Sequence, residues 1–392
     1  MRATGPTRGP WPRSSSRRPW RRGRPRRASS IRRSGRLPGE GRLRVLVTGG
    51  AGFIGSAFVR RRLVATADTI TVLDKLTYAG NRANLAEVEA DPALGRRLRF
   101  VRGDVADAAV VGPLVAEADA VVNFAAESHV DRSILDADAF LRTGVLGVHV
   151  LLEAVRAQVE AGRDLRFVQV STDEVYGDVP AGLSVEADGL APRSPYAAAK
   201  AAGELLCRAY GETHGLDMVL TRGANTYGPY QFPEKIVPLF VTNALDDQPL
   251  PLYGDGLQQR DWLYVDDHAD AVGFVLDRGR SGEAYNVPGT VPEARPLTNR
   301  AVTEAILAAL DKPWSLVRSV PDRPGHDRRY AMSGEKLAAL GWAPAVPFAE
   351  GLPRTVAWYR DHAGWWRAIR DGDFDAYYER QYGKRLAESV EA

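Results

Sequence analysis

The chain has 392 residues, 44% of them hydrophobic and 26% charged, with a net charge of +3 and one cysteine. That apolar share excludes global disorder, a collagen-like repeat and a coiled coil, and the length accommodates two domains or one large α/β unit with an appended lobe. The lone Cys207 excludes a disulfide framework or a cysteine-based metal cluster and suits a reducing cytoplasm. No apolar run of about eighteen residues is available to span a membrane.

The small net charge averages two unlike pieces. Residues 1–40 hold thirteen arginines and one acid, Glu40, a net +12, so residues 41–392 carry −9. The first piece is also rich in Pro, Ser and Gly and cannot bury enough apolar surface to fold, so it is expected to be disordered. Three readings stand: an arm for nucleic acid or an anionic surface, an Arg- and Ser-rich targeting peptide, or a start-site artefact with the natural chain beginning near Leu43. The third is preferred, because nothing amphipathic recurs and the fold starts abruptly at Arg44. The expected organisation is therefore a tail over 1–42, a dinucleotide-binding domain over 43–220, completed by strands from 258–290, and a smaller lobe over 221–392.

From Arg44 the pattern alternates. Val45–Val47 reads as a strand buried on both faces, Phe53–Val64 as a helix, and Ile70–Leu73 as a second strand. Leu98–Val101, Ala120–Phe124 and Phe167–Val170 give three more strands with helical stretches between them, which argues for a doubly wound parallel α/β sheet. A helix is expected around Phe140–Val155, apolar over more than one face, as a core helix or one shared with a partner subunit. Beyond residue 220 Pro and Gly density rises and short elements read as the second lobe.

Gly49, Gly52 and Gly55 recur at three-residue intervals between the first strand and the first helix, followed by Phe53 and Ile54 at the helix mouth. The first glycine permits a tight turn, the second a close approach to a pyrophosphate and the third helix–strand packing, with the helix N-terminus facing the phosphates. Asp74 ends the next strand, 19 residues past Gly55, where an acid accepts from ribose hydroxyls and repels a 2′-phosphate. NAD is therefore expected over NADP, a preference slightly weakened by Lys75. Asp104 and Val105, closing the third strand, are read either as lying near the adenine or as a plain strand-end turn.

Tyr196 and Lys200 lie four apart after Ser194-Pro195, a helix-start signature, and so share one face. A phenol with a pKa near 10 needs a neighbouring cation to act as a base at neutral pH, which Lys200 supplies. Thr172, Asp173 and Glu174 follow the strand Phe167–Val170 at its carboxyl end, where ligands of open α/β sheets bind. Adjacent carboxylates there invite separate acid and base roles; a solvated acidic turn is the plain alternative.

Together with Asn225–Lys235, Arg260-Asp261-Trp262 and Asp322–Tyr330, these motifs resemble the dTDP-glucose 4,6-dehydratases of the extended short-chain dehydrogenase/reductase superfamily, over about residues 43–385. The glycine loop and Tyr/Lys pair are common to the superfamily, whereas the Thr-Asp-Glu and Asp-Arg-Pro-Gly-His-Asp runs are specific to this activity or its close relatives. The resemblance implies a Rossmann-type NAD-binding domain and a cycle without net oxidation. Tyr196, helped by Lys200, takes the 4-hydroxyl proton as C4 is oxidised. Glu174 removes the C5 proton while Asp173 protonates the departing 6-hydroxyl, and hydride returns to C6 of a 4-keto-6-deoxy sugar. Thr172 bonds the 4-oxygen. Thr77, Ala125, Ala126, Ser128 and Thr143 join the cofactor set. Ser128, Asn225, Lys235, Ile236, Pro251, Leu252, Tyr253, Arg260, Asn299, Arg323 and His326 hold the nucleotide sugar, the arginines matching phosphate oxygens. Read without the family, Arg260 fits a structural ion pair equally well.

The resemblance also implies a cytoplasmic homodimer in deoxysugar biosynthesis with no membrane or nucleic-acid partner. Three positions depart from the family pattern: Gly144, Thr226 and Ser333. The six histidines show no metal-site spacing and no Gly-x-Ser-x-Gly elbow occurs, so neither a metal centre nor a serine hydrolase is expected. The rivals are a nucleotide-sugar 4-epimerase or decarboxylase on the same scaffold and, in another class, an NAD-binding regulatory or nucleic-acid-associated protein using the basic tail.

Overall fold

A computed structural model describes residues 41–289, 296–370 and 374–391. The Arg-rich segment, and with it every reading of the tail, lies outside these residues. Seven strands form one sheet: β1 (Arg44–Thr48), β2 (Thr69–Asp74), β3 (Leu98–Arg102), β4 (Ala120–Asn123), β5 (Arg166–Thr172), β6 (Asp217–Gly223) and a last strand, Ala284–Val287. Their order is β3-β2-β1-β4-β5-β6 and then Ala284–Val287, with every pairing parallel. This is a Rossmann-type, doubly wound α/β sheet whose order reverses between β1 and β4, opening a crevice at their carboxyl ends.

The strands are apolar on both sides because both are covered. Leu46 and Phe167 pack with Leu151, Leu152 and Cys207 on one face, while Val45, Val47 and Val168 pack with Phe58, Val59 and Val272 on the other. Helix α1 (Phe53–Ala65) and the later helix Val265–Arg278 share that second face. Arg62 joins them through Asp277, 2.6 Å away, and also pairs with Asp68. The chain therefore leaves the sheet after β6 and returns to it over residues 265–287.

The expected helix around Phe140–Val155 is broken into a short helix, Asp138–Leu141, a π turn, Arg142–Gly147, and the long helix Val148–Glu160. Two glycines explain why the turn sits so close to its neighbours. A Cβ on Gly147 would lie 2.6 Å from Val105 Cγ2, and one on Gly144 3.3 Å from Ala199 Cβ. The family-departing Gly144 thus lets this segment lie against the helix Pro195–His214. Beyond β6 the lobe is more regular than its Pro and Gly content suggests. Helices Ile236–Leu245, Asn299–Leu310 and Phe348–Asp361 surround a core of Phe240, Trp262, Ile306, Val317, Tyr359 and Trp366. Beside them the strand Val317–Val320 pairs in parallel with Leu250–Tyr253.

Candidate active site

The crevice at the switch point begins with the glycine turn. Gly49 has φ +67°, and a Cβ on it would lie 2.7 Å from the Ala125 nitrogen; on Gly55 a Cβ would lie 2.3 Å from the Gly49 carbonyl oxygen. Only glycine lets β1 turn and α1 approach this closely. Helix α1 has Gly52 as its N-cap with no side-chain cap, so its first N–H groups remain available to an anion. Asp74 accepts from the Ala51 and Leu76 amides at 2.9 and 2.8 Å, and burial raises its pKa. Lys75 is drawn to Asp104 at 2.9 Å, so its charge is engaged away from Asp74. One cavity runs from these glycines past Thr77, Val105, Ala125, Ala126, Ser128 and Thr143 to Tyr196 and Lys200, and is lined by every residue expected to hold the cofactor. The bare helix N-terminus, the glycine cradle and the acid at the end of β2 fit NAD.

The helix bearing Tyr196 and Lys200, Pro195–His214, is capped by Ser194, whose Oγ accepts from the Ala197 amide at 3.1 Å. Lys200 donates to the Val170 carbonyl of β5 at 3.0 Å. Burial lowers the Lys200 pKa to about 8, opposed by Glu204. Burial raises that of Tyr196, and Glu174 and Asp173 raise it further while Thr172 opposes them. Burial and the neighbouring carboxyls thus favour the neutral phenol of Tyr196.

Thr172 and Glu174 line the cavity with Tyr196 and Lys200. Asp173, alone among the expected residues, lines neither of the two cavities described here. It is 3% exposed, with Oδ1 accepting from Thr172 Oγ1 at 3.1 Å and Oδ2 buried without a partner. Burial, then Glu174, lifts the Asp173 carboxyl to about 8. Burial also raises Glu174, but Arg323, Lys235 and Arg260 pull it back toward the ionised form. The two adjacent carboxyls thus share burial but differ in the largest charge each meets, Arg323 for Glu174 and Glu174 for Asp173.

Glu174, Asn225, Glu234 and Lys235 are common to the first cavity and a second one. The second is lined by Ile236, Pro251, Leu252, Tyr253, Arg260, Asn299, Arg323 and His326. Arg260 donates to the carbonyls of Gln259 and Asp327 at 2.8 and 2.9 Å, with its guanidinium 4.2 Å from the Tyr330 ring centre. Main-chain acceptors thus hold it in place of the carboxylate that an ion-pair reading requires. Arg323 reaches Asp131 at 3.2 Å and leaves a buried Nε without a partner, an arrangement suited to a diphosphate. Burial, with Arg323 and Arg260, lowers the His326 pKa to about 4, so its imidazole is neutral at neutral pH.

Several residues at these walls carry no local signature. Asp131 collects Tyr253, Gln381 and Arg323 at 2.9, 3.1 and 3.2 Å, and Tyr382 closes the second cavity. His268 lines the first cavity and bonds Thr226 Oγ1 through Nδ1 at 2.7 Å. The family-departing Thr226 therefore takes a defined partner. Ser333 Oγ accepts from the Glu335 amide at 3.3 Å.

A parallel sheet with its dinucleotide cavity at the switch point, a Tyr/Lys pair on the adjoining helix and a cation-lined second cavity define an NAD-dependent enzyme of the extended short-chain dehydrogenase/reductase class. The family model described as GDP-mannose 4,6 dehydratase matches residues 46–355, and the chain belongs to that family. It is 52% identical over 337 residues to the dTDP-glucose 4,6-dehydratase of Streptomyces niveus, covering 84% of this chain and 97% of the relative. It is 42% identical to dTDP-glucose 4,6-dehydratase 1 of Escherichia coli K12, with coverages of 88% and 100%. Among solved structures, DesIV of Streptomyces venezuelae, a dTDP-glucose 4,6-dehydratase crystallised with NAD, is 52% identical with a TM-score of 0.78 over 83% of this chain and 99% of that one.

Proposed function

We propose that this chain is a dTDP-glucose 4,6-dehydratase, an NAD-dependent hydro-lyase that converts dTDP-glucose to dTDP-4-keto-6-deoxyglucose and water for deoxysugar biosynthesis. The observation that carries the assignment of roles is the Thr172-Asp173-Glu174 turn beside Tyr196 and Lys200, where a cofactor cavity meets a cation-lined one. NAD, when bound, takes hydride from C4 and returns it to C6. Tyr196 accepts the 4-hydroxyl proton, and Thr172 holds the 4-oxygen. Glu174, kept basic by Arg323, Lys235 and Arg260, takes the C5 proton that the new ketone acidifies. Asp173, protonated at neutral pH, delivers its proton to the 6-hydroxyl, which leaves as water. Arg260 and Arg323 bind the diphosphate. The Asp74 carboxylate favours NAD over NADP.

A homodimer belongs to this reading. Leu205, on the helix Pro195–His214, is 56% exposed, and Leu141 and Leu146 on the adjoining segments are 48% and 42% exposed, apolar surface suited to a second copy. A cytoplasmic enzyme without membrane or nucleic-acid partners also belongs to it; among the described residues no helix is long and apolar enough to cross a membrane. Incubating the purified chain with dTDP-glucose and with UDP-glucose tests the function. The base-induced absorbance of a 4-keto-6-deoxy sugar from the thymidine substrate is expected, and formation of the galactose epimer instead would refute it.

A further inference from the structure

Behind the catalytic groups lies a buried network that the chemistry above does not use. Glu204 stands one turn past Lys200 on the catalytic helix, and Arg222 is the penultimate residue of β6. Both side chains are 0% exposed, with Arg222 Nη2 donating to Glu204 Oε2 at 2.7 Å and Nε to both carboxylate oxygens at 3.1 and 3.2 Å. Arg222 Nη1 also donates to the Tyr176 hydroxyl at 2.6 Å, and that hydroxyl donates to Asn286 Oδ1 at 2.7 Å. Tyr176 closes the short 3₁₀ turn Asp173–Tyr176.

We propose that Glu204, Arg222 and Tyr176 form a positioning unit that fixes the helix bearing Tyr196 and Lys200 to the turn bearing Asp173 and Glu174. It rests on the dehydratase reading, which requires both elements to meet one sugar ring. A fully buried ion pair adds little stability over apolar side chains of equal volume, yet its fork geometry is directional. Here its three ends belong to three elements that reach the cavity: Lys200 on the helix, Glu174 on the turn and Gly223 next to Arg222. Glu204 has a second influence. Lys200 bonds the Val170 carbonyl of β5 and interacts with Glu204 of its own helix and His268 of the helix Val265–Arg278. His268 is held neutral, burial and Lys200 lowering its pKa to about 4, so Glu204 is the carboxylate that opposes the loss of the Lys200 proton.

The test uses the full chain with NAD and dTDP-glucose. Wild-type turnover is read first; its absence refutes the dehydratase reading rather than the positioning unit. Tyr176→Phe is expected to lower kcat about tenfold with KM within about twofold, and reduced cofactor should accumulate on sugar addition because oxidation outpaces elimination. In Glu204→Gln the alkaline limb of kcat should move down by about one pH unit, as Lys200 loses its proton earlier. The double variant Glu204→Leu/Arg222→Met removes both charges together, and with its melting temperature kept should lose about a hundredfold in kcat. A folded double variant with wild-type kcat, or losses confined to KM, would overturn the proposal. If the double variant does not fold, unchanged kcat and pH profile in the two single variants overturn it equally.

Discussion

Asp173→Asn keeps the shape of the side chain and removes its proton equilibrium. Asp173 is 3% exposed, and burial reinforced by Glu174 lifts its carboxyl from 3.8 to about 8. An acid whose pKa rises on folding stabilises the native state fully below its unfolded pKa. That contribution fades as pH climbs through the folded value, because the unfolded chain releases a proton that the native site retains. At ~1.4 kcal/mol per pH unit, the gap between 3.8 and about 8 sets a ceiling of ~6 kcal/mol. Asparagine carries no such penalty. The variant should therefore melt above wild type at about pH 9, with the advantage shrinking toward pH 4, as scanning fluorimetry across that range would read. In the same variant, absorbance at 340 nm should still report reduction of bound NAD when sugar is added, and solvent deuterium should still enter C5 through Glu174, while no water is eliminated. Normal turnover would refute the acid assignment, and a melting difference independent of pH would refute the electrostatic one.

Tyr196→Phe should abolish reduction of bound NAD on sugar addition, with kcat down by about 10²–10⁴, the range typical of losing a general base; residual reduction at the wild-type rate would contradict its role. Arg323→Met should raise KM for dTDP-glucose by about 30–100-fold with kcat within a few-fold, since a charged hydrogen bond to phosphate is worth ~2–3 kcal/mol. Steady-state kinetics reads the split. Gly55→Ala places a Cβ 2.3 Å from the Gly49 carbonyl and should cost ~1–3 kcal/mol in urea unfolding together with most NAD affinity measured by calorimetry; an unchanged dissociation constant would remove the tight-cradle argument.

What was legible in the sequence was what local chemistry dictates. The β1–α1 turn declares itself because three glycines at fixed spacing have few other uses, and the Tyr196–Lys200 helix because Ser194 and Pro195 mark its start. The break at Arg142–Gly147 was not legible, since Arg-Thr-Gly-Val-Leu-Gly carries no signature of a π turn and only the approach of Val105 and Ala199 shows why two glycines stand there. Nor was the Asp131 cluster, whose partner Gln381 lies 250 residues away; spacing carries no information about such a meeting. Arg260 invited an ion pair on local grounds, and its carbonyl partners became visible only when Asp327 was brought beside it. The burial of Asp173 was equally hidden, because a Thr-Asp-Glu turn reads the same whether it is wet or dry.

Glu174 differs from its neighbour through what faces it rather than through its own chemistry. Both carboxyls are buried, and burial alone drives both toward the protonated form. Asp173 then meets the charge of Glu174, which pushes it further the same way, whereas Glu174 meets Arg323, Lys235 and Arg260, which favour its ionised form. The cations lining the second cavity thus oppose the rise of Glu174, while Asp173 beside it is lifted to about 8. Glu174→Gln should accordingly leave NAD reduction intact on sugar addition and abolish deuterium entry at C5, whereas Asp173→Asn retains that exchange. Mass spectrometry of the sugar recovered from deuterated buffer separates the two, and equal loss of exchange in both variants would refute the division of labour.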